Sequence, residues 1–139
     1  MDKYELVLRD LEDILLTIDE VHNVSHGKPV PLTAEDTFTS VYIMPTAEAF
    51  KQDIVGLSAA SYDNLLYIRL IININCVDNP LAWLHTRRKV IDAVLEDTPI
   101  WGNIVDRDLV SVAHDEYGDF PKKAMEILFE FRIRESCII

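Results

Sequence analysis

Residues 65–76 read LLYIRLIININC, and counting along them by twos sets the fold. Leu66, Ile68, Leu70, Ile72 and Ile74 fall on one side, and Leu65, Tyr67, Arg69, Ile71, Asn73 and Asn75 on the other, because successive side chains of a strand point to opposite faces. The aliphatic row predicts a central strand with one face in the core. The second face carries Arg69, Asn73 and Asn75, and buried polar groups without hydrogen bonds cost about 1–3 kcal/mol each. Water, a partner or a polar interface has to meet that face, which makes Arg69 and Asn73 candidate contact residues.

The same alternation returns near the C-terminus. From Ala124 to Glu135, Ile127, Phe129, Phe131 and Ile133 alternate with Glu126, Leu128, Glu130, Arg132 and Arg134, predicting a strand with one buried and one charged face. Arg132 and Arg134 join the contact candidates on that charged face. Between the two strands, Asn79-Pro80 reads as a helix start, with Asn79 as cap and Pro80 where a missing N–H is harmless. Leu81, Leu84, Ile91, Val94 and Leu95 form the expected buried stripe, Trp83 and Val90 lie outside it, and Asp97-Thr98-Pro99 ends the helix. Ile104 to Ala113 has strand character, and Asp115 to Pro121 reads as a hairpin turn.

Upstream, Asp2 to Asp19 places Tyr4, Val7, Leu8, Leu11, Ile14, Leu15 and Ile18 at helical spacing. Val21 to Val24 predicts a short strand before the turn at 26–29, and Phe38 to Met44 a strand stopped by Pro45. Pro45 to Asn64 lacks strong alternation and predicts a long contact loop with a helical turn around Ala47 to Lys51. The sum is a single α+β domain over 1–139, a mostly antiparallel sheet with two helices packed on one face.

Composition narrows the function. Lys and Arg number 13 against 24 Asp and Glu, a net charge of −11, which repels nucleic-acid backbones. The N-terminal stretch MDKYELVLRDLED is acidic and amphipathic without a signal-peptide layout, and no window reads as a membrane span. With only Cys76 and Cys137, the chain reads as a protein of a reducing, cytoplasmic compartment, so the Asn23-Val24-Ser25 sequon reads as chance.

No constellation points to chemistry. His22 and His26 are four apart but sit before Gly27 and Pro29, with no further zinc ligands nearby. His114-Asp115-Glu116 lies at a hairpin tip with no serine or cysteine placed as an obvious nucleophile, and His85 reads as structural. The four glycines are too scattered for a phosphate loop. The expectation is a non-enzyme without metal or cofactor. The basic trio Arg87-Arg88-Lys89 reads as a solvated helix face, or as a patch that meets Asp106, Asp108, Asp115 and Glu116 of a neighbouring subunit.

In element order the chain resembles the tail terminator proteins of long-tailed bacteriophages, the family that includes minor tail proteins of the lambda U type. The opening amphipathic helix, VYIMP with Glu48 just after it, LLYIRLIININ, LAWLHTRRKVIDAVLED, DTPIWGNIVDRD and the closing ILFEFRIR carry the likeness. At 101–103 it departs: Trp101 stands at the bulky position and Gly102 is kept, but Asn103 replaces a common second glycine. The resemblance implies a virion protein assembled in the host cytoplasm. It would form a homo-hexameric ring on the head-proximal end of the tail, bind the tail tube protein, end tube polymerisation and present the head-tail joining surface to a head completion or neck protein. DNA would pass through the ring without specific binding, and Glu48 would be a contact residue. A head completion or neck adaptor role is the neighbouring alternative. A small-molecule-binding α+β domain using Tyr67, Arg69, His85 or His114 is the alternative of a different class.

Overall fold

The computed structural model describes residues 3–29, 39–54, 59–76, 79–102, 104–114 and 122–138. The elements run α1 (Lys3–Leu16), β1 (Asn23–His26), β2 (Ser40–Ile54), β3 (Ala59–Asn75), α2 (Ala82–Leu95), β4 (Asp106–His114) and β5 (Lys122–Ile138). The strands form one sheet in the order β1-β2-β3-β5-β4, antiparallel except for the parallel β1–β2 pair. The fold is α+β, as the periodicities predict.

The aliphatic row of β3 is the centre of the core. Leu66, Ile68, Leu70 and Ile72 are fully buried, and the register sets them opposite Phe131, Phe129, Ile127 and Met125 of β5. On the other side, Val41 and Ile43 of β2 stand opposite Ile72 and Leu70. One transverse row therefore reads Ile43, Leu70, Ile127, Val112 across four strands, and such rows are what fix register. Val7, Leu11 and Leu15 of α1 and Val90 and Val94 of α2 close over the same cluster.

Several boundaries differ from the sequence reading, each for a physical reason. Proline does not stop β2: the strand runs through Pro45 to Ile54, with the pairing register shifting between Pro45 and Ala47. A bulge is one of the few places where a strand accepts proline. The expected loop at 45–64 is accordingly a hairpin, with Ala47 to Ile54 paired to Tyr67 through Ala60, and no helical turn at 47–51. Small residues such as Ala47 and Ala49 hide the alternation, while backbone pairing needs no apolar side chains. Residues 55–58 and the turn at 115–121 lie outside the described residues. The short strand falls at Asn23–His26 in place of 21–24, and Gly27, at φ 101°, takes the left-handed conformation that ends it.

The second helix differs in start and in face. Asn79 shapes the turn before it, its Oδ1 accepting the Leu81 N–H at 3.1 Å and its carbonyl the Ala82 N–H at 3.0 Å. The helix itself begins at Ala82. Its buried residues are Thr86, Val90 and Val94, while Leu81 is 54% and Leu95 39% exposed. Val90, expected outside the buried stripe, is at its centre. Of the expected stripe, Val94 alone is fully covered; Leu84 and Ile91 are half-buried, and Leu81 and Leu95 are exposed. Val90→Ala is therefore expected to cost about 1–2 kcal/mol and Leu95→Gln within about 0.5 kcal/mol, read as urea midpoints at unchanged m-value.

Candidate functional site

The open face of the sheet, opposite the helices, holds most of the polar residues that the strand pattern singles out. In β3 it runs Asp63, Leu65, Tyr67, Arg69, Ile71, Asn73. Asn73 is 7% exposed between Ser40 of β2 and Ala124 of β5. Arg69 lies opposite Leu128 and reaches diagonally to Glu126, Nε to Oε1 2.6 Å. Tyr67 donates its hydroxyl to Glu130, directly opposite, and that bond raises its pKa above the ordinary phenol value, with burial adding to it. At the far end two guanidiniums share one carboxylate. Arg134 Nε donates to Asp63 Oδ1 at 3.0 Å, Arg132 Nε stands 3.7 Å from Asp63 Oδ2, and Asp63 is only 4% exposed.

Arg69, Arg132 and Arg134 are thus tied within one chain by cross-strand carboxylates. The sequence left these partners invisible, because cross-strand contacts, direct or diagonal, follow from register and not from periodicity. Glu48 stands opposite Leu66, on the helix side of the sheet and exposed, and its charge adds to burial in raising the Tyr4 hydroxyl of α1.

A second cluster forms where α2 ends. Arg107, at the start of β4, donates from Nε to the Val94 carbonyl at 2.6 Å and from Nη2 to the Leu95 carbonyl at 2.8 Å and Asp97 Oδ1 at 2.9 Å. Trp101 Nε1 donates to the same Val94 carbonyl at 3.2 Å. The indole packs at 5.4 Å from the Phe131 ring, and the Arg107 guanidinium lies 5.8 Å from its centroid. Helix C-termini leave carbonyls without intrahelical donors and carry partial negative charge. A cation and an indole N–H delivered from beyond the helix satisfy them. No periodicity marks Arg107; its only sequence signal is an arginine shortly after a Trp-Gly turn.

Along α2 the basic residues divide. Arg87 sits over the Trp83 ring at 5.4 Å, Lys89 bonds Glu20 beyond the end of α1, and Arg88 is exposed. The Lys89 contact holds the Glu20 carboxyl below its ordinary pKa. Leu84, His85, Arg87, Arg88 and Ile91 line a shallow groove on this helix. Asp106 and Asp108 are exposed on β4, opposite Arg132 and Glu130 on the open face of the sheet. Asp115 and Glu116 lie outside the described residues.

The histidines do not converge. His22 Nδ1 accepts the Thr39 N–H at 2.9 Å, and His26 pairs with Glu12 at 3.2 Å, tying β1 to α1. Cys76 is a buried free thiol whose pKa burial pushes up. Among the described residues no group of three or more His, Cys, Asp or Glu is placed to hold a metal, and no helix is long and apolar enough to cross a membrane.

No family model matches the chain, and no curated protein does. Among solved structures it is similar to a chain from the virion of a native gene transfer agent particle, at 15% identity over 96% of this chain and 92% of that one, with a TM-score of 0.40.

Proposed function

We propose that the chain is a structural protein of a phage-like virion, and within that class a tail terminator. In this reading it forms a ring, a hexamer by the family's pattern, on the head-proximal end of the tail tube. There it ends tube polymerisation and offers the surface on which a head completion or neck protein seats. The observation that carries the reading is the element order on one sheet: an amphipathic helix, a long hairpin, a second helix and a closing hairpin. The stretches VYIMP, LLYIRLIININ and ILFEFRIR, on which the family resemblance rests, fall in its three central strands.

The physical character of the molecule supports an assembly role. The charged groups of the open face neutralise one another across strands, which suits a surface that passes or contacts other macromolecules. A net charge of −11 keeps free subunits apart until a specific geometry brings them together, and lets DNA pass a ring without sticking.

The test uses the full chain and polymerised tail tubes of the same particle. Added during tube assembly, the chain is expected to cap tube ends with rings seen by negative stain and to stop elongation. Tubes that grow unchecked and carry no added density at either end overturn the proposal.

A further inference from the structure

Leu81, Leu84, Arg88, Ile91 and Leu95 follow one another along α2 in alternating steps of three and four residues. That spacing keeps side chains on one line of a helix, and it is the spacing by which two helices interlock. Thr86, Val90 and Val94 take the side of the helix that meets the sheet. The row runs along the outer flank: Leu81 is 54% and Leu95 39% exposed, Arg88 is exposed, Leu84 is half-buried, and Ile91 packs in part against the core.

On the other side of the helix, Lys89, Asp92, Ala93 and Glu96 share a depression with Thr17 to Glu20 beyond the end of α1. Asp92 also lines the outer groove, with Leu84, Arg88 and Ile91, so it stands on the crest between the two. Arg88 and Asp92 are therefore neighbours, one helical turn apart and both exposed. Among the described residues neither belongs to an ion pair of the chain.

One exposed arginine and one exposed aspartate beside an apolar row make this flank complementary to itself, in one orientation. A second copy laid parallel and in register sets Arg88 on Arg88 and Asp92 on Asp92. An antiparallel copy, related by a two-fold axis at mid-helix, sets Arg88 of each chain level with Asp92 of the other. The same register brings Leu84 of each chain opposite Leu95 of the other, because both pairs are centred on Lys89 and Val90. We infer that the outer flank of α2 pairs antiparallel with the same flank of a second copy, covering Leu84, Ile91 and Leu95 and forming two reciprocal Arg88–Asp92 ion pairs along one side. A two-fold contact joins chains in pairs, whereas the repeating contact of a ring is heterologous. The inference thus concerns the free chain and goes beyond the terminator reading.

Sedimentation equilibrium of the full chain tests it. The wild-type chain is expected to show a monomer–dimer equilibrium. Arg88→Asp crowds four carboxylates into the contact and Asp92→Arg four guanidiniums, and each is expected to raise the dissociation constant at least about tenfold, with circular dichroism unchanged. Two results are specific to the register: an equimolar mixture of these variants is expected to form a heterodimer of near wild-type affinity, and the exchange Arg88→Asp/Asp92→Arg to restore the homodimer. Leu95→Gln is expected to weaken the dimer by a similar factor without rescue by either charge variant. A wild-type chain that stays monomeric to about 1 mM, single variants that dimerise like wild type, or a mixture and an exchange that both fail to recover overturn the contact. Failure of the wild-type chain to cap tubes overturns the terminator reading and leaves this contact standing.

Discussion

Phe129→Ala is expected to lower the stability of the fold by about 3–5 kcal/mol, the range for removing a buried phenylalanine ring, and to lower the melting temperature by roughly 10–20 °C in a chain of this size. Phe129 is fully buried at the middle of β5, opposite Ile68 of the central strand and Leu109 of the edge strand. Its ring lies 6.1 Å from that of Phe131, which packs in turn on Trp101. The cavity would open between four strands whose backbones are hydrogen-bonded on both sides of β5 and β3, so the walls have little freedom to collapse. Phe129→Leu keeps much of the volume and is expected to cost about 1–2 kcal/mol. Urea unfolding measures both. A loss below about 1 kcal/mol for Phe129→Ala would mean that the helices settle onto the sheet and fill the space.

That expectation was legible in the sequence because β5 and β3 share one pattern. Strict alternation over a dozen residues admits one face for the core, and the register that pairs Phe129 with Ile68 follows from matching two aliphatic rows. The same logic fails for α2. Leu81, Leu84, Ile91 and Leu95 make one apolar flank and Val90 and Val94 another, so the helix carries no single greasy stripe, and tertiary packing chooses the less hydrophobic one. The stripe with the most leucines is therefore not the one that is fully buried. The far half of β2 was hidden by the opposite cause, since Ala47 and Ala49 give no signal and Pro45 gives a misleading one.

The contact residues divide along the same line. Arg69, Asn73, Arg132 and Arg134 were visible as the polar side of strands, but Glu126 and Asp63, which engage three of them, appear only once register is known. Arg87 and Arg88 on α2 and Asp106 and Asp108 on β4 lie on opposite sides of the sheet, since the register sets the two aspartates opposite Arg132 and Glu130 on the open face while α2 packs on the core face.

Arg107→Ala is expected to cost about 2–4 kcal/mol, an unusual loss for a residue at the start of an edge strand. The ion pair with Asp97 contributes little, because Asp97 is fully exposed and such pairs are worth about 0–1 kcal/mol. The larger share comes from the carbonyls of Val94 and Leu95, which accept from a guanidinium only 11% exposed. Hydrogen bonds to a charged donor are worth about 1.5–3 kcal/mol each, and acceptors left behind without water cost more than the bond itself gained. Arg107→Lys supplies a charge to the helix end but cannot hold two carbonyls and a carboxylate in one planar fork, so it is expected to recover about half. Arg107→Met keeps contact with Trp101 without any donor, and separates packing from bonding: stability near that of the alanine variant assigns the effect to the carbonyls. Because these bonds are largely shielded, the loss should change little between low and high salt. Hydrogen exchange should quicken in the last turn of α2 more than in α1, whereas a uniform change across both helices would mean that Arg107 acts on the whole core and not as the cap of one helix.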